Sequence, residues 1–107
     1  MATTVVNLKR EAYDVYVGRL GYGMHYGNPF THLYGTLASV IVGSRNEAIG
    51  RYKSWLVGTT DQDVEPERRV WILANVKRLK GRRIGCHCKP LACHGDVLAE
   101  LAEKESP

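Results

Sequence analysis

Apolar residues first recur at helical spacing in the middle of the chain. The pattern begins after Ser44, because Ser44 and Glu47 have the spacing of a capping box. The apolar side chains that follow lie on one face of a helix: Ala48, Ile49, Tyr52, Trp55 and Leu56. The sequence therefore predicts a helix over 45–57 that ends at Gly58 and buries this face.

Two further helices are predicted in the C-terminal half. Pro66 suits the first helical position and Gly81 ends the pattern, so the second helix is predicted over 66–80. Four apolar residues are expected to form its inward face: Val70, Leu73, Val76 and Leu79. The last helix is predicted over 94–104, with Asp96 in its first turn, where a carboxylate is favourable. Its expected buried residues are Val97, Leu98, Leu101 and Ala102.

Three runs are typical of β-strands: 5–8, 13–17 and 83–88. Tyr13, Val15 and Val17 share one side of the second run. The order of these elements predicts an α/β fold, a small single-domain layered structure over 1–107 with a short mixed or parallel sheet and about three helices.

A long glycine-rich loop is predicted over 18–30, and such loops are commonly functional or mobile. Aromatic and imidazole side chains in or near it are expected to be exposed to solvent, the alternative being that they stack on a base: Tyr22, His25, Tyr26 and His32. Trp55 and Trp71 are expected to be core residues.

Composition fits a globular protein, since 44% of the residues are hydrophobic and 24% are charged. No apolar run approaches the roughly 20 residues that span a bilayer, and the N-terminus lacks the pattern of a secretory signal. The three cysteines lie within 86–93, a spacing more typical of chemistry or metal binding than of disulfides. We therefore expect a cytoplasmic protein with no membrane contact.

Positive charge is concentrated in residues 68–89. This block contains eight Lys or Arg residues, and no Asp or Glu occurs between Glu67 and Asp96. The block could contact nucleic acid, although a solvated helix face is the alternative interpretation. The acidic stretch 61–67 borders the block and would repel a long polyanion.

The segment 85–96 carries the densest candidate chemistry. Cys86 and Cys88 are expected at the end of a strand, and Cys93 and His94 at a helix N-terminus, which is where ligands bind in open α/β sheets. The helix N-terminus also gives Cys93 more thiolate character.

Three interpretations of this segment compete. Zinc could be bound by Cys86, Cys88, Cys93 and His94. However, Cys86 and Cys88 would be roughly 7 Å apart on a flat strand, too far for two sulfurs on one metal ion. Alternatively, Cys93 or Cys86 with His94 forms a nucleophilic or acid–base site. In the third interpretation the cysteines only pack as small apolar residues.

The chain resembles domain-of-unknown-function family 4326, small proteins found mainly in bacteria and bacteriophages. The resemblance rests on the blocks 5–8, 15–19, 27–30 and 86–98. It implies these site residues: Gly18, Arg19, Asn28, Pro29, Phe30, Cys86, Cys88, Pro90, Cys93, His94, Gly95 and Asp96. A weaker similarity to family 488, which has an acidic residue in the place of Cys88, shifts attention to Cys86, Cys93 and His94. Segment 31–43 looks peculiar to this chain.

Our leading hypothesis is an enzyme pocket that acts on a nucleotide or nucleic-acid component. Arg19 and the last helix N-terminus would hold an anion, with Gly18, Asn28, Pro29, Phe30 and Gly95 as further ligand-binding residues. The reactive groups would be Cys86, Cys93, His94 and Asp96. The alternative is a small metal-stabilised module without catalysis that binds nucleic acid or a host protein. The predicted site also requires Arg19, Asn28, Cys86, Cys93 and His94 to converge, although up to 75 positions separate them.

Overall fold

Five short strands and three α-helices make up the part of the chain that the computed structural model describes, residues 3–19, 24–32, 40–87 and 91–104. The elements in chain order are β1 Thr4–Asn7, β2 Val15–Tyr16, β3 Phe30–Thr31, β4 Val40–Ile41, α1 Arg45–Val57, α2 Pro66–Asn75, β5 Arg83–Cys86 and α3 His94–Lys104. A 3-10 helix, Val76–Leu79, follows α2 directly. The predicted α/β class with about three helices is confirmed.

The main sheet is parallel, with β5 between β1 and β2. Gly85 of β5 is in register with Val6 on one side and Tyr16 on the other. A second parallel pair joins β3 to β4. Because parallel strands end at the same edge of a sheet, the residues that follow β2 lie beside Cys86, the last residue of β5.

The first predicted strand, 5–8, is β1 at Thr4–Asn7, and the other two predicted strands were too long. The run 13–17 contains only β2, and Tyr13 lies before it, 44% exposed. The run 83–88 is a strand as far as Cys86; Cys88 lies outside the described residues. The pair β3–β4 was not predicted, because each of its strands is only two residues long.

Helix α1 follows the sequence prediction closely. The Ser44 side chain accepts a hydrogen bond from the backbone N–H of Glu47 at 3.1 Å and caps the helix. Gly58 ends it in the left-handed conformation at φ 90°, a region that glycine adopts without steric cost. The predicted apolar face is buried at Ala48, Tyr52, Trp55 and Leu56, and Ile49 is partly buried.

The prediction for the second helix was wrong in two respects. The α-helix ends at Asn75 and continues as a 3-10 helix, and Val70 and Leu73 are 61% and 38% exposed. Residues three positions apart differ by about 60° in direction around an α-helix. An apolar stripe in which every step is three residues therefore rotates away from the core. The observed inward face has steps of four, four and three: Arg68, Ile72, Val76 and Leu79. Its first position is a buried arginine, which an apolar pattern cannot identify.

The core lies between the helices and the main sheet. Helix α3 packs on α1, on the 3-10 helix and on β1 and β5. Its predicted apolar residues Val97, Leu98 and Ala102 are buried, and Leu101 is half-buried. Trp55 is fully buried as predicted, and Trp71 packs at the core boundary. Among the described helices, none has the length and apolar character needed to cross a membrane.

Two aromatic-ring residues of the predicted loop are core residues instead of solvent-exposed ones. Tyr26 and His25 are 8% and 7% exposed. The Tyr26 ring packs on Trp71. The backbone carbonyl of Tyr26 accepts a hydrogen bond from the Tyr52 hydroxyl at 2.6 Å. These partners come from distant helices, so local composition does not indicate the burial. Tyr22 lies outside the described residues, and His32 is half-buried.

Candidate functional site

A cavity of about 490 Å³ opens beside the carboxyl edge of the main sheet. Its lining comes from four separate parts of the chain: Tyr16, Gly18, Arg19, Asn28, Phe30, Thr31, His32, Arg45, Ala48, Ile49, Cys86, His87, Leu91, Ala92, Cys93 and His94. The five residues that were expected to converge all line this one cavity: Arg19, Asn28, Cys86, Cys93 and His94.

Cys86 and Cys93 form a pair of thiols in the wall of this cavity. Their sulfur atoms are 2.9 Å apart, a contact longer than the S–S bond of about 2.05 Å. Both residues are almost fully buried, at 2% and 1% exposure. Cys86 is placed by the end of β5 and Cys93 by the start of α3, so the strand-to-helix connection 87–92 brings the two together.

Cys93 is also the N-cap residue of α3. Its sulfur accepts the backbone N–H of Gly95 at 3.2 Å, and its own backbone N–H donates to Asp96 Oδ2 at 3.1 Å. This is the reciprocal arrangement of a capping box, with a thiol in place of the usual hydroxyl. The observed contact of Asp96 is this capping bond, and Asp96 is not among the residues that line the cavity. A catalytic role for Asp96 stays a prediction.

Gly95 allows α3 to begin this close to the thiol. A Cβ atom on Gly95 would lie 3.1 Å from Cys93 Sγ and 3.2 Å from Val5 Cγ1. Both distances are tighter than ordinary van der Waals contacts. Gly95 is buried and is not among the residues that line the cavity, so its observed contribution is close packing and ligand binding by Gly95 stays a prediction.

His94 is fixed in one tautomer by the backbone. Its Nε2 lies 2.5 Å from the carbonyl oxygen of Val17, which can only accept, so Nε2 carries the hydrogen. The ring also packs edge-on against Tyr52, with centroids 5.2 Å apart. Burial lowers the pKa of His94, while the hydrogen bond to Val17 acts in the opposite direction. In the neutral ring, Nδ1 is therefore the basic nitrogen.

Arg19 lies in the cavity wall and belongs to a buried ion cluster. Its Nη2 is 3.2 Å from Glu65 Oε1, and the same oxygen is 2.8 Å from Arg68 Nε. Arg68 is the more enclosed partner, with a side chain only 6% exposed that lies over the Trp55 ring. Arg19 Nε and Arg68 Nη2 are buried donors that have no hydrogen-bond partner among the described residues. The cluster contains two cations around one carboxylate. The internal segments that the structure does not describe, 20–23, 33–39 and 88–90, contain no acidic residue in the sequence.

His25 adds no charge to this cluster at neutral pH. Burial, and to a smaller extent the guanidinium groups of Arg68 and Arg19, lower the pKa of His25 to about 4. Its Nδ1 accepts the backbone N–H of Gly27 at 3.2 Å, while the His25 carbonyl accepts from Arg68 Nη1 at 2.9 Å. The neutral imidazole therefore joins the loop before Asn28 to the ion cluster.

The segment Asn28–Phe30 forms the opposite wall and is held by its own side chains. Asn28 Nδ2 donates to the Ala48 carbonyl at 2.9 Å, and Asn28 Oδ1 accepts from the Phe30 N–H at 2.9 Å. Phe30 packs against Trp55, and Arg51 lies over its outer face at 4.7 Å. Pro29 is buried and does not line the cavity. These contacts explain the residue types without a ligand, so ligand binding by Asn28 stays a prediction.

Sequence analysis missed two polar groups of the lining. Tyr16 donates to or accepts from His87 Nε2 at 3.2 Å, and burial raises the pKa of Tyr16. Arg45 is the first residue of α1 and is half-buried at the cavity wall. The capping box at Ser44 located the start of α1, but only the tertiary fold places that helix end opposite the cysteines.

The basic block 68–89 is not one continuous cationic surface. Arg68 is buried, and Arg69 donates to the carbonyls of Trp55 and Leu56. Arg83 pairs with Glu11 at 3.1 Å. Among the described residues of the block, Lys77, Arg78 and Arg82 are exposed cations.

A zinc site is not assembled by the described residues. They contain no group of three or more His, Cys, Asp or Glu side chains that could hold a metal ion. Cys88, the fourth ligand of the predicted set, and Pro90 lie outside them. Zinc binding by Cys86, Cys88, Cys93 and His94 therefore stays a prediction.

Comparison with known proteins gives a family without a described activity. The family model described as Domain of unknown function (DUF4326) matches residues 5–104. The chain is also 31% identical over 100 residues to the "Uncharacterized 12.4 kDa protein in nrdA-td intergenic region" of Enterobacteria phage T4, a match that covers 94% of this chain and 77% of that protein. No solved structure matches. The weaker similarity to family 488 stays a prediction.

Proposed function

The chain belongs to the family Domain of unknown function (DUF4326), and we propose that its cavity is the active site of a thiol-dependent enzyme that acts on a small anionic molecule of nucleotide type. The observation that carries this proposal is the convergence of Cys93, His94 and Arg19 on one cavity. A nucleophile and a base from the start of α3, together with a cation from the segment after β2, are the groups that covalent catalysis on an anionic substrate needs.

The cavity has the dimensions and lining of a small-molecule site. Its volume of about 490 Å³ lies within the usual range of ligand pockets. Phe30, Ile49 and Leu91 provide an apolar wall that suits a planar base. Arg19 and Arg45 provide positive charge that suits a phosphate or carboxylate.

The chemistry follows from the capping arrangement at α3. The Gly95 N–H and the helix N-terminus favour negative charge on Cys93 Sγ, so this sulfur is the nucleophile. Cys93 Sγ forms a covalent bond to an electrophilic carbon of the substrate as the leaving group departs. His94 Nδ1 accepts the proton released by the thiol or, in the second step, by the water that cleaves the intermediate.

Ligand-induced stabilisation tests the binding part of the proposal. Thermal unfolding would be measured under reducing conditions with ribonucleotides and deoxyribonucleotides and with the matching nucleosides. We expect phosphate-bearing probes to raise the unfolding temperature of the wild type and of the exposed-site control Arg10→Gln. The rise should be absent in Arg19→Gln, each variant being compared with its own ligand-free state. No stabilisation by any probe, or equal stabilisation of Arg19→Gln, would contradict the proposal.

Product analysis tests the chemical part. Probes that stabilise the protein would be incubated with wild type, Cys93→Ser and His94→Gln, and their conversion followed by mass spectrometry. We expect conversion by the wild type and a loss of at least 100-fold in either variant, with binding retained. Conversion that is undiminished in both variants would exclude the thiol mechanism. Binding without conversion, together with stoichiometric zinc, would favour the metal-stabilised module instead.

A further inference from the structure

The thiols of Cys86 and Cys93 are arranged as a reacting pair and not only as packed apolar side chains. Their sulfur atoms are 2.9 Å apart, so forming the S–S bond of about 2.05 Å requires an approach of less than ~1 Å. Each thiol is at the boundary of a regular element, where one strand ends and one helix begins. Both thiols therefore lie at the ends of the regular elements that the connection 87–92 joins.

The surroundings of the two sulfurs differ, and this assigns their order of reaction. Cys93 Sγ accepts the N–H of Gly95 at the start of α3, which favours the thiolate. Cys86 is enclosed at the end of the central strand of the sheet. Cys93 is therefore the sulfur that attacks an oxidant, and Cys86 is the one that resolves the product.

Access limits which oxidants can reach the pair. Both residues are at most 2% exposed, so a disulfide of another protein cannot approach them. Both nevertheless line the cavity of about 490 Å³. A small neutral oxidant of the peroxide class can enter this space, whereas a macromolecular partner cannot.

We infer that Cys86 and Cys93 form a reversible intramolecular disulfide when hydrogen peroxide enters the cavity. The Cys93 thiolate attacks one peroxide oxygen, the O–O bond breaks, and hydroxide leaves, so that Cys93 becomes a sulfenic acid. The Cys86 thiol then attacks Cys93 Sγ and displaces the sulfenic oxygen as water. One peroxide is reduced to two molecules of water, counting the proton that the hydroxide takes up, and two thiols are oxidised to one disulfide.

The disulfide would also affect catalysis, and this consequence alone rests on the proposed function. Oxidation removes the nucleophile that catalysis requires, so activity would be lost with peroxide and restored by a dithiol reductant. The oxidation itself needs no substrate. Failure of the proposed function and failure of the disulfide are therefore distinguishable.

Peptide mapping after peroxide treatment tests the inference. Hydrogen peroxide would be added to the folded wild type and to Cys88→Ser, which keeps only the proposed pair, and remaining thiols would be blocked before digestion. We expect a mass lower by two hydrogen atoms and a linked peptide that contains residues 86 and 93, with both effects reversed by dithiothreitol. The wild-type map keeps the test decisive if Cys88→Ser does not fold.

Variants of the pair test the order of the two steps. In Cys86→Ser, Cys93 should accumulate as a sulfenic acid that dimedone labels, because no thiol at position 86 resolves it. In Cys93→Ser, the dimedone label should be at least 10-fold lower. The inference would be overturned if all thiols remained open to alkylation in the treated, folded protein. A linked peptide that joins Cys88 to Cys86 or Cys93 would also overturn it.

Discussion

The Nε2 hydrogen of His94 is donated to the backbone carbonyl of Val17, at 2.5 Å and across 77 positions of the sequence. This bond joins the first turn of α3 to the residue that follows β2. It also places Gly18 and Arg19, the next two residues, at the cavity wall. One side chain thus both closes the fold around the site and supplies the basic nitrogen of the proposed chemistry.

Two substitutions of His94 should separate these roles. Glutamine can place an amide N–H near the position of Nε2, so His94→Gln should lower the free energy of unfolding by less than about 1 kcal/mol. Alanine removes both the bond to Val17 and the ring contact with Tyr52, so His94→Ala should lower it by about 2–3 kcal/mol. Urea unfolding measures both. Equal losses in the two variants would show that the bond to Val17 does not hold the site together.

Glu65 should be more important for stability than its partly exposed position indicates. Its carboxylate lies between Arg19 and Arg68, so Glu65→Gln leaves two enclosed guanidinium groups without their counter-charge. We expect a loss of about 2–3 kcal/mol, below the range for fully buried pairs because Glu65 retains some solvent contact. The control is Glu67→Gln, an exposed carboxylate in the same helix, which should change stability by less than about 0.5 kcal/mol. Similar losses in both variants would contradict the role of the cluster.

Acid should destabilise the protein before its carboxylates are protonated. The pKa of His25 is about 4 in the folded chain and near 6.5 in the unfolded chain, so the unfolded state binds more protons between these values. The contribution of His25 to stability is therefore complete above about pH 6.5 and is lost as the pH falls towards 4. The lowered pKa of His94 acts in the same direction.

Urea midpoints at about pH 7.5 and about pH 5 measure this effect. We expect a decrease in the wild type and a smaller one in His25→Asn, whose side-chain oxygen can still accept the Gly27 N–H. The remaining decrease in that variant is assigned to His94 and should shrink further in the double variant with His94→Gln. A decrease of equal size in all three proteins would rule out titration of these imidazoles as the cause.

Nucleic-acid binding should be weak at physiological salt. Two cations of the block 68–89, Arg68 and Arg69, are used inside the protein, and the acidic stretch 61–67 lies beside the block. Fluorescence anisotropy with labelled duplex DNA and RNA at several salt concentrations measures the affinity. If binding occurs, replacing Arg82 and Arg83 by alanine should flatten the salt slope by at most about two. Tight, salt-sensitive binding would favour the nucleic-acid interpretation over a small-molecule enzyme.

Much of the fold could be predicted because its signals are local. The capping residues Ser44 and Pro66 gave the helix starts, and the apolar spacing after Ser44 gave the buried face of α1. The strand at Arg83–Cys86 was marked by its position between Gly81, which ends the preceding helical pattern, and the cysteine segment. Each of these features depends on contacts within a few residues of sequence, which a linear pattern contains.

The remaining features depend on partners that are distant in sequence. Burial of Arg68 requires Glu65 nearby and the Trp55 ring from another helix, and burial of Tyr26 requires Trp71 and Tyr52. The cavity wall likewise gains Arg45 only because α1 packs opposite the cysteine segment. The sequence located the two halves of the candidate site through unusual residue types, but it could not give their contacts.

Strand order has a consequence for how the chain acquires its site during synthesis. In the main sheet, β1 and β2 both pair with β5, and in the described chain they have no ladder with each other. The first two strands therefore leave the ribosome long before Arg83–Cys86 is made and must wait without their shared partner. Pairing over such separations is slow, because a long loop must close before any bond is gained. The cavity can be completed only when nearly all of the chain has emerged, so a stalled or shortened chain would lack the whole site and not only part of it.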